Sequence, residues 1–336
     1  MADRVPGRDL MVDEQPAEPA ASNAPPRLPS LGASASGLAA LLLVSAIRFI
    51  PIFGAIIAPL GLLPVIRFQA SGELGIRAWG PVVGLLAVAW MTGLTSFAGS
   101  LLMAYALVIV LPAVSIEAWV RMRWNEGRWV LWASMGALGC SLLAVAGVAL
   151  PDSPILASER WWNESLAMVS EIYQSAGMPE GEIERTLMTI EAASSVIPLL
   201  LPAAPILYYV AILFWIRPRL ELLGMGLRVS AFESYRNDDW LAAVFAASGI
   251  GTLLLNGVPR WFAINALAVT LILYFVQGLA MIRAHLARWF GRGWLLRWGV
   301  ALLCLQGPLP LVVATLGIAD SFHPLRPRAD DNGGTP

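Results

Sequence analysis

The chain has 336 residues, 57% hydrophobic and 13% charged, with a formal net charge of -1 and a mean hydropathy of +0.68. Soluble domains carry about 25% charged residues, so this composition excludes one and reads as a polytopic α-helical membrane protein. A β-barrel is excluded as well, because it needs alternating segments of roughly ten residues and the apolar runs here are long and continuous. The near-neutral charge gives no electrostatic basis for binding nucleic acid.

Residues 1–35 are rich in Pro, Ala, Ser and Asp without apolar periodicity, which predicts a disordered tail. The segment 36–67 is apolar but interrupted by Arg48, Pro51 and Gly54, so it reads as two short helices, about 37–50 and 53–67. Pro81–Thr95 and Ser96–Val120 form the next pair of crossings, followed by a polar turn with Arg121, Arg123, Glu126 and Arg128. Trp129–Leu150 crosses after it, bounded by Pro151. The hydrophilic insertion 151–193 is rich in glutamate and holds two amphipathic patterns, Trp162, Leu166, Val169, Tyr173 and then Ile183, Leu187, Ile190, with Gly177 and Pro179 as the break. They predict two surface helices lying against the membrane or capping the bundle.

Ser195–Ile216 contains Pro198, Pro202 and Pro205, which predicts a kinked crossing whose freed backbone groups are satisfied by neighbours. A loop with Arg217, Arg219, Arg228 and Arg236 leads into Trp240–Gly257, where Ala243, Ala247 and Gly251 at four-residue spacing read as a helix-packing face. Trp261–Arg283 is 23 residues long, enough to cross a core of about 30 Å. One stripe of this helix holds Thr270, Tyr274, Gln277 and Gly278, with Gly278 expected against a neighbouring helix. The opposite face, Ile264, Ala268, Val269, Ile272, Phe275, Val276, Leu279 and Ile282, is mainly aliphatic and able to meet lipid, with Asn265 falling on the same side near the membrane surface. A loop with Arg288, Arg292 and Arg297 precedes a last apolar run, Leu295–Ile318, broken at Gly307, Pro308 and Pro310, and 321–336 form a short polar tail. The fold class is therefore an all-α transmembrane bundle over 36–320 with eight or nine membrane segments.

With nine segments and an inside N-terminus, 16 arginines fall on the cytoplasmic side and six outside, which makes the insertion extracytoplasmic. If the Gly307–Pro310 break makes the last segment re-entrant, the C-terminus moves inside. Trp79, Trp119, Trp129, Trp161, Trp162, Trp240, Trp261, Trp289 and Trp294 gather at segment ends, as an aromatic belt would.

No catalytic constellation is visible: His285 and His323 are the two histidines, and phosphate-binding loops and zinc or nucleophile motifs are absent from the sequence. Neither a catalytic residue, a cofactor nor a metal is expected, and Cys140 and Cys304 read as small hydrophobes inside apolar runs. Three residues are candidates for contacting a substrate. Arg48 is a cation within an apolar run, where charge is costly, its alternative being a snorkelling side chain at a hairpin tip. Tyr274 and Gln277 share a stripe and either touch a substrate or hydrogen-bond a neighbouring helix.

The run Tyr274-Phe275-Val276-Gln277-Gly278-Leu279, and Gly317-Ile318-Ala319-Asp320-Ser321-Phe322 followed by Arg326, resemble signatures of the YybS-like family, bacterial membrane proteins defined as a domain of unknown function. The resemblance covers roughly 36–328 and departs at His323-Pro324, where an aromatic and acidic pair is expected. It implies a multi-pass protein of the bacterial cytoplasmic membrane, similar in its first half to substrate-binding subunits of energy-coupling-factor transporters and to the rod-shape membrane protein MreD. Two functions follow. One is a substrate-capture or transport-related subunit, docking a partner through small residues such as Ala35 and Ala39 on its first helix. The alternative is a non-transporting scaffold in envelope assembly or cell division, whose arginine-rich loops bind partner proteins. The lipid bilayer is a partner on either reading.

Overall fold

The structure is a computed structural model that describes residues 31–70, 91, 101–149, 153–179, 181–182, 184–186, 188, 196–223, 227, 229–290, 299, 303–304 and 306–323. Every regular element among the described residues is helical, as apolar sequence in a bilayer requires, because a helix satisfies its backbone groups within one segment. Helix α1 spans Leu31–Phe49 and so begins inside the stretch expected to be a tail. It is followed by α2 (Pro51–Ile57), a 3-10 turn at Ala58–Gly61 and α3 (Leu62–Ala70). The break at Pro51 follows from its missing N–H and fixed φ, which suit a first helical turn. Ala35 and Ala39 are exposed on α1.

Apart from Met91, the expected crossing Pro81–Thr95 and the start of Ser96–Val120 lie outside the described residues. A π-helical turn at Ala106–Val110 then leads into α4 (Leu111–Met122), which ends on Arg123 in the left-handed region, φ 49°. After it come α5 (Glu126–Ala149), α6 (Pro154–Ser175), α7 (Ala204–Leu222), α8 (Trp240–Leu254), α9 (Gly257–Phe290) and α10 (Leu309–Phe322). Among the described residues three helical stretches are long and apolar enough to cross a membrane, Leu101–Met122, Glu126–Gly147 and Gly257–Leu286, while α8, α10 and pieces of α1 to α3 are shorter apolar helices. Of the insertion, the first helix is α6, and most of the second pattern lies outside the described residues.

Helix α9 is the centre of the bundle, and the structure refines the sequence reading of its two faces. The polar stripe is covered, with Thr270, Tyr274, Gln277, Gly278 and Met281 buried, whereas on the aliphatic side Ile264, Ala268, Ile272, Phe275, Leu279 and Ile282 are half-buried and Asn265, Val269 and Val276 are covered. Neighbouring helices and lipid tails are equally apolar, so an aliphatic stripe does not reveal which of the two it meets. Asn265 has a specific task. Its amide donates to the Leu199 carbonyl at 2.8 Å and its oxygen accepts from the Ala203 N–H at 3.0 Å. Between those two residues the expected kinked crossing is instead irregular, a 3-10 turn at Pro198–Leu200 before α7 starts at Ala204. Backbone freed by the prolines is satisfied from the side by α9.

The small-residue ladder on α8 is corrected. Ala243 and Ala247 are exposed, and α8 turns Leu241, Phe245 and Ser248 inward. Gly251 is half-buried and lies against a neighbour helix, where an added Cβ would press on Ala263 of α9. Not all the tryptophans form a belt either: Trp119 and Trp129 are buried and stacked at 4.3 Å, and Trp261 is buried, whereas Trp161 and Trp240 are exposed.

Candidate functional site

The polar residues gather where the turn between α4 and α5, the end of α7, the 229–239 loop, the middle of α9 and the end of α10 meet. Gly127 makes the approach possible. A Cβ there would overlap the Arg236 carbonyl and crowd Asn237 and Asp238, so the loop lies directly on the first turn of α5. Asn125 caps that turn by accepting from the Arg128 N–H at 2.7 Å.

Three sets of contacts hold the loop. In the first, Arg217, 3% exposed, pairs with Glu126 and donates to the Ser230 hydroxyl at 2.9 Å, while Ser230 donates to Glu126 at 2.7 Å. Its guanidinium also stands 5.8 Å from the ring centres of Phe214 and Tyr235, within cation–π range. A buried guanidinium paired and hydrogen-bonded on several sides avoids the large cost of an uncompensated charge. Burial pushes the Tyr235 phenol above its ordinary range, so it stays protonated and donates to Asn237 at 2.7 Å.

In the second set Asp238 accepts from Arg128 at 3.0 Å, from Asn125 at 3.2 Å and from the Trp240 N–H at 3.1 Å, the last capping α8. Burial pushes the Asp238 carboxyl up, but these donors and the Arg128 charge more than offset it and hold the group below the usual carboxylate range. In the third, the Asn237 N–H donates to Gln277 Oε1 at 3.1 Å and the Asn237 amide to the Leu273 carbonyl at 3.0 Å. Gln277 in turn donates to Asp320 at 2.9 Å and to Ser321 at 3.1 Å. Arg236 donates to the Ser321 carbonyl at 3.0 Å, and Arg283 pairs with Glu233 at 2.7 Å.

Helices α9 and α10 cross at two glycines. A Cβ on Gly278 would overlap the Val313 carbonyl, and one on Gly317 the Tyr274 carbonyl, so the two main chains are in direct contact. The last helix thus ends beside Arg236, at the same end of the bundle as the arginine-bearing loops. Between the loop and α5 opens a crevice of about 520 Å³, lined by Glu126, Arg128, Ser234, Arg236, Asp239 and Trp240 among others.

Of the residues singled out as substrate contacts, Gln277 and Tyr274 lie together in this junction but fully buried, with both ends of the Gln277 amide engaged by protein. Arg48 is in the last turn of α1, far from this junction in sequence, and its side chain lies outside the described residues. Asn237, Asp238, Ser230 and Glu233 were missed by sequence reasoning, although Asn237-Asp238-Asp239 directly before the apolar α8 is a helix-start signal. Among the described residues no cluster of three or more metal-ligating side chains occurs.

Residues 38–321 match the family described as "predicted membrane protein (DUF2232)". Neither a curated protein nor a solved structure matches the chain.

Proposed function

The chain belongs to the DUF2232 family of predicted membrane proteins, and we propose that it is a non-transporting scaffold of the bacterial cytoplasmic membrane, presenting a rigid polar crevice to a partner on its cytoplasmic side. The observation that carries this reading is the saturation of Gln277. Its amide is consumed by Asn237, Asp320 and Ser321, whereas the crevice beside it exposes Arg236, Asp239 and Trp240. Arg121, Arg123, Arg128, Arg219, Arg236 and Arg283 all stand at or near this end, and an excess of arginine marks the cytoplasmic side. The substrate-capture reading keeps one supporting observation, the exposure of Ala35 and Ala39 on α1, open to a partner helix.

Complementation in a strain that requires the protein separates the two readings. Ser234→Trp fills the crevice and Asp239→Arg reverses a charge in it; both residues are exposed, and surface changes of this kind alter stability by about 0.5 kcal/mol or less. On the scaffold reading both variants insert and unfold like the parent yet fail to complement. Full complementation by both, with loss confined to bulky substitutions at Ala35 and Ala39, would transfer the function to the substrate-capture reading.

A further inference from the structure

Helix α6 carries more apolar surface than the bundle covers. On a helical wheel Trp162, Leu166, Val169 and Tyr173 form one stripe, half-buried, and α6 packs against α5, the Pro198–Leu200 turn and α9. Next to that stripe, about a third of a turn around the helix, runs a second one of Trp161, Met168 and Ile172, which are 59%, 63% and 56% exposed. The side away from the bundle is acidic, with Glu164 and Glu171 exposed, while the exposed Glu159 lies beside the bundle-facing stripe. A helix with one apolar flank on protein and the adjoining flank bare, opposite a charged side, is shaped to sit at a corner between bundle, lipid and water.

Its level in the fold fits such a corner. Helix α5 ends at Ala149, five residues before α6 begins, and α7 begins a few residues after the Pro198–Leu200 turn that α6 touches. That turn is tied to Asn265 in the first third of α9. The ends of three apolar helices therefore meet at α6, the depth at which a bilayer gives way to headgroups.

We propose that α6 is a membrane-surface helix whose Trp161, Met168 and Ile172 are immersed at the boundary of lipid headgroups and acyl chains. The exposed charges of the helix, Glu159, Glu164 and Glu171 against Arg160, offer anionic lipid no attraction, so the immersion rests on apolar burial and forms in zwitterionic lipid alone. The occupant of the bare stripe is lipid and not protein, because the stripe continues sideways from the bundle contact at the depth where spans end.

The test uses the full chain carrying Cys140→Ser and Cys304→Ser, with a nitroxide attached through Met168→Cys, Ile172→Cys or Glu164→Cys, in nanodiscs of phosphatidylcholine. At 168 and 172, collisions with oxygen should exceed those with a water-soluble nickel chelate several-fold, and the ratio should invert at 164. Nickel accessibility at 168 and 172 equal to that at 164 would place the stripe in water and overturn the proposal. Shielding of both positions from both reagents would mean that protein covers them, a second copy or the remainder of the insertion, and would overturn it equally.

Discussion

The amide of Gln277 joins three separate pieces of chain, and its replacement is informative because each piece loses a partner. Gln277→Leu removes the acceptor of the buried Asn237 N–H and one donor to Asp320, a carboxylate only 3% exposed. An average interhelical hydrogen bond is worth about 0.6 kcal/mol, but stranding a buried polar group costs about 1–3 kcal/mol. The expected destabilisation in detergent is therefore in the upper range, and unfolding within about 0.5 kcal/mol of the parent would show that the network is slack. Asp238 makes a pH prediction. Its carboxyl is held below its ordinary range when folded, so its contribution is fully present above the unfolded value of about 3.9 and is lost as pH falls through the lower folded value. Thermal melts below about pH 4 should show a loss of stability that is smaller in Asp238→Asn, which starts less stable at neutral pH; identical acid profiles would exclude Asp238 as the group responsible.

At the scale of helices, the sequence told where elements break more reliably than which way they face. Breaks are set locally: Pro51, Pro198, Pro205 and Pro310 each stand in the first turn of a helix, where a missing N–H costs nothing, and Gly307 takes a positive φ of 54° just before α10. Facing is set by neighbours, and lipid and protein neighbours are alike in polarity, which is why Asn265, Val269 and Val276 on the aliphatic side of α9 are covered and Ala243 and Ala247 on α8 exposed against expectation. Glycine pairs were partly legible. Gly278 was visible beside Gln277, but its partner Gly317 depends on how α10 folds back, which no local pattern encodes. The corrected face of α8 predicts that Ala247→Leu, on an exposed position, leaves the unfolding midpoint nearly unchanged. Gly251→Leu must displace Ala263 and should cost about 1–3 kcal/mol. Equal costs for both would restore the original ladder as the packing face.

Over the whole molecule, the three clusters around Arg217, Asp238 and Gln277 make one claim: the 229–239 loop is fixed to α5, α7, α9 and α10 and is not a free connection between crossings. Loops with few buried contacts open at a cost near zero, while segments tied into a core exchange only through large unfolding events. Amide hydrogen exchange of the protein in nanodiscs measures this directly at Asn237 and Trp240, whose N–H groups donate to Gln277 and Asp238. Both amides should exchange about as slowly as those of α8 and α9, and Gln277→Leu should release Asn237 selectively. Exchange of Asn237 and Trp240 in the parent at the rate of an unprotected loop would contradict the account.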